Sequence, residues 1–169
     1  TTVSIGLSQG GLYEIRDNSV SDLLTLNQAQ FEAESNYLKI FSMRNSAQGL
    51  IMNNSLERIQ FSDFGGAPRA RVINNTFYYE LRRDDLNASF IPSAGIITEL
   101  TNNIFTSNYR CGYGVFASPV LSGGYNCFYN IQTSYSSEDP FEGDIETNPL
   151  LRGGRDNDLR LQAISPCIV

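Results

Sequence analysis

Histidine and tryptophan are absent from the 169 residues, and lysine occurs once, at Lys39. Without histidine the chain lacks the commonest general base and the commonest metal ligand. Nucleophile–histidine triads and zinc sites of the Cys/His type are therefore excluded within it. Charged residues make up only 18%, below the usual quarter or so. The formal net charge is −6, and no Lys/Arg cluster offsets it, so a nucleic-acid backbone would be repelled. No apolar run approaches the roughly 18 residues of a membrane span. Cysteine occurs three times, at 111, 127 and 167. That is too few for a disulfide scaffold, and the spacing fits no metal site.

Polarity is carried instead by Asn, Ser, Thr, Gln and Gly, a mix suited to turns and ladders rather than to helix interiors. The length is enough for one domain with a real core. One short pattern recurs: Met52-Asn53-Asn54-Ser55-Leu56, Ile73-Asn74-Asn75-Thr76-Phe77, Thr101-Asn102-Asn103-Ile104-Phe105 and, weakened, Gly124-Tyr125-Asn126-Cys127-Phe128. The second polar residue steps by 21, 28 and 23. A bulky apolar residue follows two positions later each time. A fainter copy is read at Leu24 to Phe31. Repeats of this length with short alternating runs indicate a solenoid, and the uneven step indicates fixed strands joined by loops of variable length. Asparagine tolerates the left-handed conformation of a coil corner, and amides stacked at about 4.8 Å can bond in a ladder. Asn54, Asn75, Asn103 and Asn126 are read as that internal ladder. Residues 29–37 are read as one or two helical turns.

With these repeats the chain resembles the pectate-lyase-like right-handed parallel β-helix proteins. The last third adds to the resemblance. Gly123-Gly124-Tyr125-Asn126-Cys127-Phe128, Asn148-Pro149-Leu150-Leu151, Asp158-Leu159-Arg160-Leu161-Gln162 and Ser165-Pro166-Cys167-Ile168 follow the order of the closing segment in secreted bacterial members. Asn148 and Leu151 depart from the usual Asp and aromatic. The resemblance implies an all-β, right-handed, single-stranded parallel β-helix of about five coils with an irregular C-terminal cap. Residues 1–135 would form the coils and 136–169 the capping segment. Thr1-Thr2-Val3 carries no leader signature, and both ends read as cuts in a longer polypeptide. The first coil is expected to continue onto further coils, or to associate end to end. Cys127 and Cys167 are expected to be buried neighbours, as thiols or as a disulfide.

The family spans polysaccharide lyases, glycoside hydrolases, adhesins and structural modules, so the resemblance bears on fold more than on function. A lyase needs a base and a cation to stabilise enolate-like charge; Lys39 and Arg110 are candidate bases, Arg82 and Arg83 candidate clamps. A hydrolase needs flanking carboxylates, for which Asp84 and Asp85 are the candidates. Tyr79, Tyr109 and Tyr113 are candidates to stack on sugar rings. A structural Ca²⁺ needs several oxygens, with Asp156 and Asp158 the best placed. The sequons Asn53-Asn54-Ser55 and Asn74-Asn75-Thr76 coincide with the ladder, which leaves Asn87 on its loop as the glycosylation acceptor. The leading expectation is a non-catalytic extracellular or cell-surface module, structural, adhesive or glycan-binding, with no nucleic-acid partner and no membrane span. The alternatives are the C-terminal part of a polysaccharide lyase or hydrolase, and a self-assembling filament subunit.

Overall fold

The structure, a computed structural model, describes residues 3–5, 12–62, 66–79, 89–91, 95–115, 119–136, 139–153 and 158–168. Among these residues there is no helix. The chain opens with β1 (Val3–Ile5), β2 (Leu12–Arg16), β3 (Ser19–Asn27), β4 (Gln30–Glu34), β5 (Tyr37–Arg44) and β6 (Gln48–Met52). It continues through β7 (Ser55–Ser62), β8 (Arg69–Ile73), β9 (Thr76–Tyr79), β10 (Ser89–Ile91), β11 (Ile96–Thr101) and β12 (Ile104–Val115). It ends with β13 (Gly123–Gly124), β14 (Cys127–Tyr135), β15 (Ile145–Glu146), β16 (Leu151–Gly153) and β17 (Asp158–Leu161).

Strands alternate between two parallel sheets. One runs β1-β3-β5-β7-β9-β12-β14-β15, with β10 beside β12; the other runs β2-β4-β6-β8-β11-β13. The strands β16 and β17 form a separate antiparallel pair. Parallel pairing reaches Ile145–Glu146, past residue 135, where the sequence alone draws the boundary.

The core follows from period-2 alternation. Leu38, Leu56, Phe77, Phe105 and Phe128 share one register across successive strands, and all are buried. These are the apolar residues two positions beyond each repeated asparagine. Because the register is shared, the rings of Phe77, Phe105 and Phe128 stack nearly parallel, with centroids 4.5 and 5.0 Å apart. In the second sheet Phe31, Ala33, Ile51, Val72 and Ile97 point inward. Gly49 lies opposite Phe31, and a Cβ there would stand 2.8 Å from the Phe31 ring, so only glycine fits.

Two expectations fail here. Residues 29–37 form no helical turn: they contain β4, which pairs with β2 and β6. The reason is tertiary. Phe31 and Ala33 alternate with Glu32 and Glu34, and burying the first two between flanking strands outweighs the weak local helix preference. The faint repeat at 24–31 is also misplaced. It falls at a different corner, where Gln28 has φ 52°. The earlier copies of the repeat are Asp17-Asn18 and Ser35-Asn36.

The ladder is continuous from Asn18 through Asn36, Asn54, Asn75, Asn103 and Asn126 to Asp144. At Asn75, Nδ2 donates to the Ile51 carbonyl, the Ile73 carbonyl and Asn103 Oδ1, at 2.9, 3.0 and 3.1 Å. Its own Oδ1 accepts from the Asn54 backbone N–H and Nδ2. Replacing it orphans buried groups on three strands at roughly 1–3 kcal/mol each. Asn75→Ala should therefore lower unfolding free energy by about 3 kcal/mol or more, read from the urea midpoint. Asn74→Gly, one residue earlier but outside the ladder, should cost less than about 1 kcal/mol. Equal losses for the two would contradict the assignment of the ladder to the second residue.

Candidate functional site

Each asparagine pair divides its labour at one corner. The first residue is left-handed, with φ 56° at Asn53, 54° at Asn74, 55° at Asn102 and 58° at Tyr125. Its backbone N–H reaches forward to the next strand, as Asn74 does to the Thr101 carbonyl. With the backbone turned that way, the second side chain points in and joins the ladder, while the first points out. Asn54, Asn75, Asn103 and Asn126 are buried, and Asn53, Asn74 and Asn102 are exposed. The sequons are thereby reassigned. Their acceptor residues, Asn53 and Asn74, are the outer members and not part of the ladder.

The outer row Asn53, Asn74 and Asn102 forms one wall of a cavity of about 660 Å³. Ser55 and Thr76 contribute hydroxyls to it, Ile104 an apolar floor and Tyr125 an aromatic side. The opposite wall is the C-terminal segment: Leu159, Arg160, Leu161, Cys167 and Ile168. Among the described residues lining the cavity, Arg160 is the only charged one. The volume lies within the range of small-molecule sites. The outer amides repeat once per strand, at about 4.8 Å. Tyr125 is half exposed, and its ring lies over Gly143, where a Cβ would stand 2.4 Å from it. Gly143 has φ 78°, so glycine there serves both the turn and the ring.

The wall opposite the asparagines is held covalently. Cys127 and Cys167 are joined in a disulfide across a sequence separation of 40. Ser165 Oγ donates to the Pro149 carbonyl, and Gln162 Nε2 donates to the Leu151 carbonyl. Closing a loop of that length is worth on the order of 4 kcal/mol in the chain-entropy account.

The ladder ends beside this cavity. Asp144 Oδ1 accepts from the backbone N–H and Nδ2 of Asn126 at 2.8 and 3.0 Å. Its Oδ2 accepts from the Tyr135 hydroxyl at 2.7 Å and the Phe141 N–H at 2.9 Å. A carboxylate has no donor to pass on, so the ladder stops there. Burial pushes the Tyr135 phenol well above its ordinary value. The hydrogen bond to Asp144 and that group's charge push the same way, and the amide donated by Asn126 opposes them.

Comparison with protein families, with curated proteins and with solved structures finds no match.

Of the candidate catalytic, sugar-stacking and metal residues singled out in the sequence, Lys39, Tyr79 and Tyr113 are described with their side chains, and they do not line this cavity. Arg82, Arg83, Asp84, Asp85, Asn87 and Asp156 lie outside the described residues. Arg110 and Tyr109 are in β12 and Asp158 is in β17, all with side chains outside the description. Lys39 is exposed on β5. Tyr79 turns toward the core, its ring 6.4 Å from that of Phe90. Tyr113 is half buried. Among the described residues no group of three or more acidic, Cys or His side chains is placed to hold a metal ion. The cavity itself was missed, yet it had a signal. When two adjacent asparagines meet a corner, only one side chain can enter, so a recurring pair implies an outer row.

Two outcomes follow. The Tyr135 phenol is raised in the folded chain, so its contribution to stability is intact below the free phenol value of about 10 and declines as pH rises past it. Tyr135→Phe should be less stable than wild type at neutral pH, and its stability should fall less steeply above pH ~10, followed by urea unfolding across the alkaline range. Reduction of the disulfide should raise hydrogen exchange at Leu159 and Leu161 while leaving the amides of Phe77 and Phe105 protected.

Proposed function

We propose that the chain is a non-catalytic, extracellular or cell-surface module. On this reading it is a right-handed parallel β-helix of the pectate-lyase-like kind that binds polysaccharide along its outer asparagine corner. Strands alternating between two parallel sheets along most of the chain, with one asparagine rung per return, support the β-helix reading. On this reading each rung marks one coil. The disulfide supports a location outside the cell, where such bonds persist.

The observation that carries the binding reading is the outer amide row Asn53, Asn74 and Asn102 within the cavity. A periodic wall of amides and hydroxyls suits a periodic ligand rich in hydroxyls. The strand spacing is comparable to the rise of one sugar residue in an extended glycan. Tyr125 supplies a face for a sugar ring, and Arg160 a single cation. Among the described residues that line the cavity, none is a carboxylate.

Affinity electrophoresis against neutral and acidic polysaccharides tests this. At least one polymer should retard the chain. Asn74→Gly keeps the left-handed corner but deletes the amide, and should weaken retardation about fivefold, the worth of one net hydrogen bond. Tyr125→Gly should weaken it further. If no polymer retards the chain, or if Asn74→Gly binds as wild type does, the reading fails.

A further inference from the structure

Two outward columns of the corner line the cavity. One is the left-handed row Asn53, Asn74 and Asn102, which ends at Tyr125. The other is the first residue of each following strand, Ser55, Thr76 and Ile104, in shared register. Both columns continue past the cavity. In the preceding strand of that sheet, β5, the register partner of Ser55 is Tyr37. Before it stands Ser35, left-handed with φ 57°. Both are exposed, and neither lines the cavity.

Tyr37 is 39% exposed, because Leu38 takes the inward place beside it. Its register neighbours are Ser19 and Ser55, both too small to cover a ring. Single exposed aromatics are ordinary; the position of this one singles it out. From Tyr37 the column passes through Ser55, Thr76 and Ile104 to Cys127, four strand steps, or about 19 Å. Tyr125, 48% exposed, lies two residues before Cys127. The two tyrosines thus stand at opposite ends of one straight run of amides and hydroxyls. At the Tyr37 end of that run, Asn53 Nδ2 donates to Glu34 Oε1 at 3.3 Å, which orients the nearest amide.

We propose that Tyr37 is a second aromatic subsite of the glycan site, and that the ligand is an extended chain of diequatorially linked sugars, about five residues long, held between Tyr37 and Tyr125. Diequatorial links keep a glycan straight, and each residue then advances by about one strand step. A coiled or densely branched glycan would leave the row before reaching the second ring. Each tyrosine offers a flat apolar face to the C–H face of a sugar, with its hydroxyl left in water. The proposal rests on the glycan reading of the cavity and extends that site onto the open corner.

Titration calorimetry with cello-, manno- and xylo-oligosaccharides, from dimer to octamer, tests it. In at least one series affinity should rise with length to about five residues and then level off. Tyr37→Ala should weaken hexamer binding about fivefold or more, the worth of one stacked ring, and should leave tetramer binding unchanged. Tyr37→Phe should bind as wild type does, and the urea midpoint of both variants should match wild type. A Tyr37→Ala chain that binds the hexamer as tightly as wild type does overturns the proposal. So does affinity that stops rising at the trimer, or retention by a polysaccharide with no binding in any of the three series. In each of those cases loss of retention in Asn74→Gly would leave the cavity reading standing. If neither polymer nor oligosaccharide is bound, both fall together.

Discussion

A carboxamide both donates and accepts, so stacked amides at strand spacing can satisfy one another without water, and every other feature of this chain is arranged around that stack. Asn36, Asn54, Asn75 and Asn103 each close three kinds of bond: to their own strand, to the preceding strand and to the next rung. An isolated buried amide would cost several kcal/mol. Here each rung removes that cost from its neighbour, and low local dielectric strengthens the chain of dipoles. The corner geometry, the register of the strands and the stacking of Phe77, Phe105 and Phe128 all follow from holding these amides in line.

The stack also imposes the strain and the surface. To aim one side chain inward, the residue before it must be left-handed. Asn accepts that conformation readily and Ser35 or Tyr125 less so; both are held there by the bonds of the following residue. The strained residue necessarily projects outward. A row of polar side chains at strand spacing is thus a by-product of the ladder, and Cys127–Cys167 sets a second wall beside it. The candidate binding cavity is built from what the core could not use.

Direction is the other consequence. Amide donors that all point one way give the stack a polarity, and Asp144 ends it because a carboxylate only accepts. Tyr135 and the Phe141 N–H then occupy its remaining oxygen.

The sequence by itself determined the all-β class, the repeat and the inward asparagines, because a polar residue recurring two positions before a bulky apolar one has few structural uses. Asn54, Asn75, Asn103 and Asn126 were legible for that reason. Asn18 and Asn36 were not, since Asp17 and Ser35 precede them and break the doubled pattern, and Gln28 imitated it at another corner. Only the tertiary structure decided that Gln30–Glu34 form a strand, because burial of Phe31 and Ala33 between β2 and β6 is a non-local energy that local propensity does not contain. It alone decided the cavity, which joins Asn53 and Asn74 to Leu159 and Arg160, far apart along the chain. It alone decided that Asp144 is the last rung, since nothing marks a single aspartate as a terminator until its two oxygens are seen to be taken.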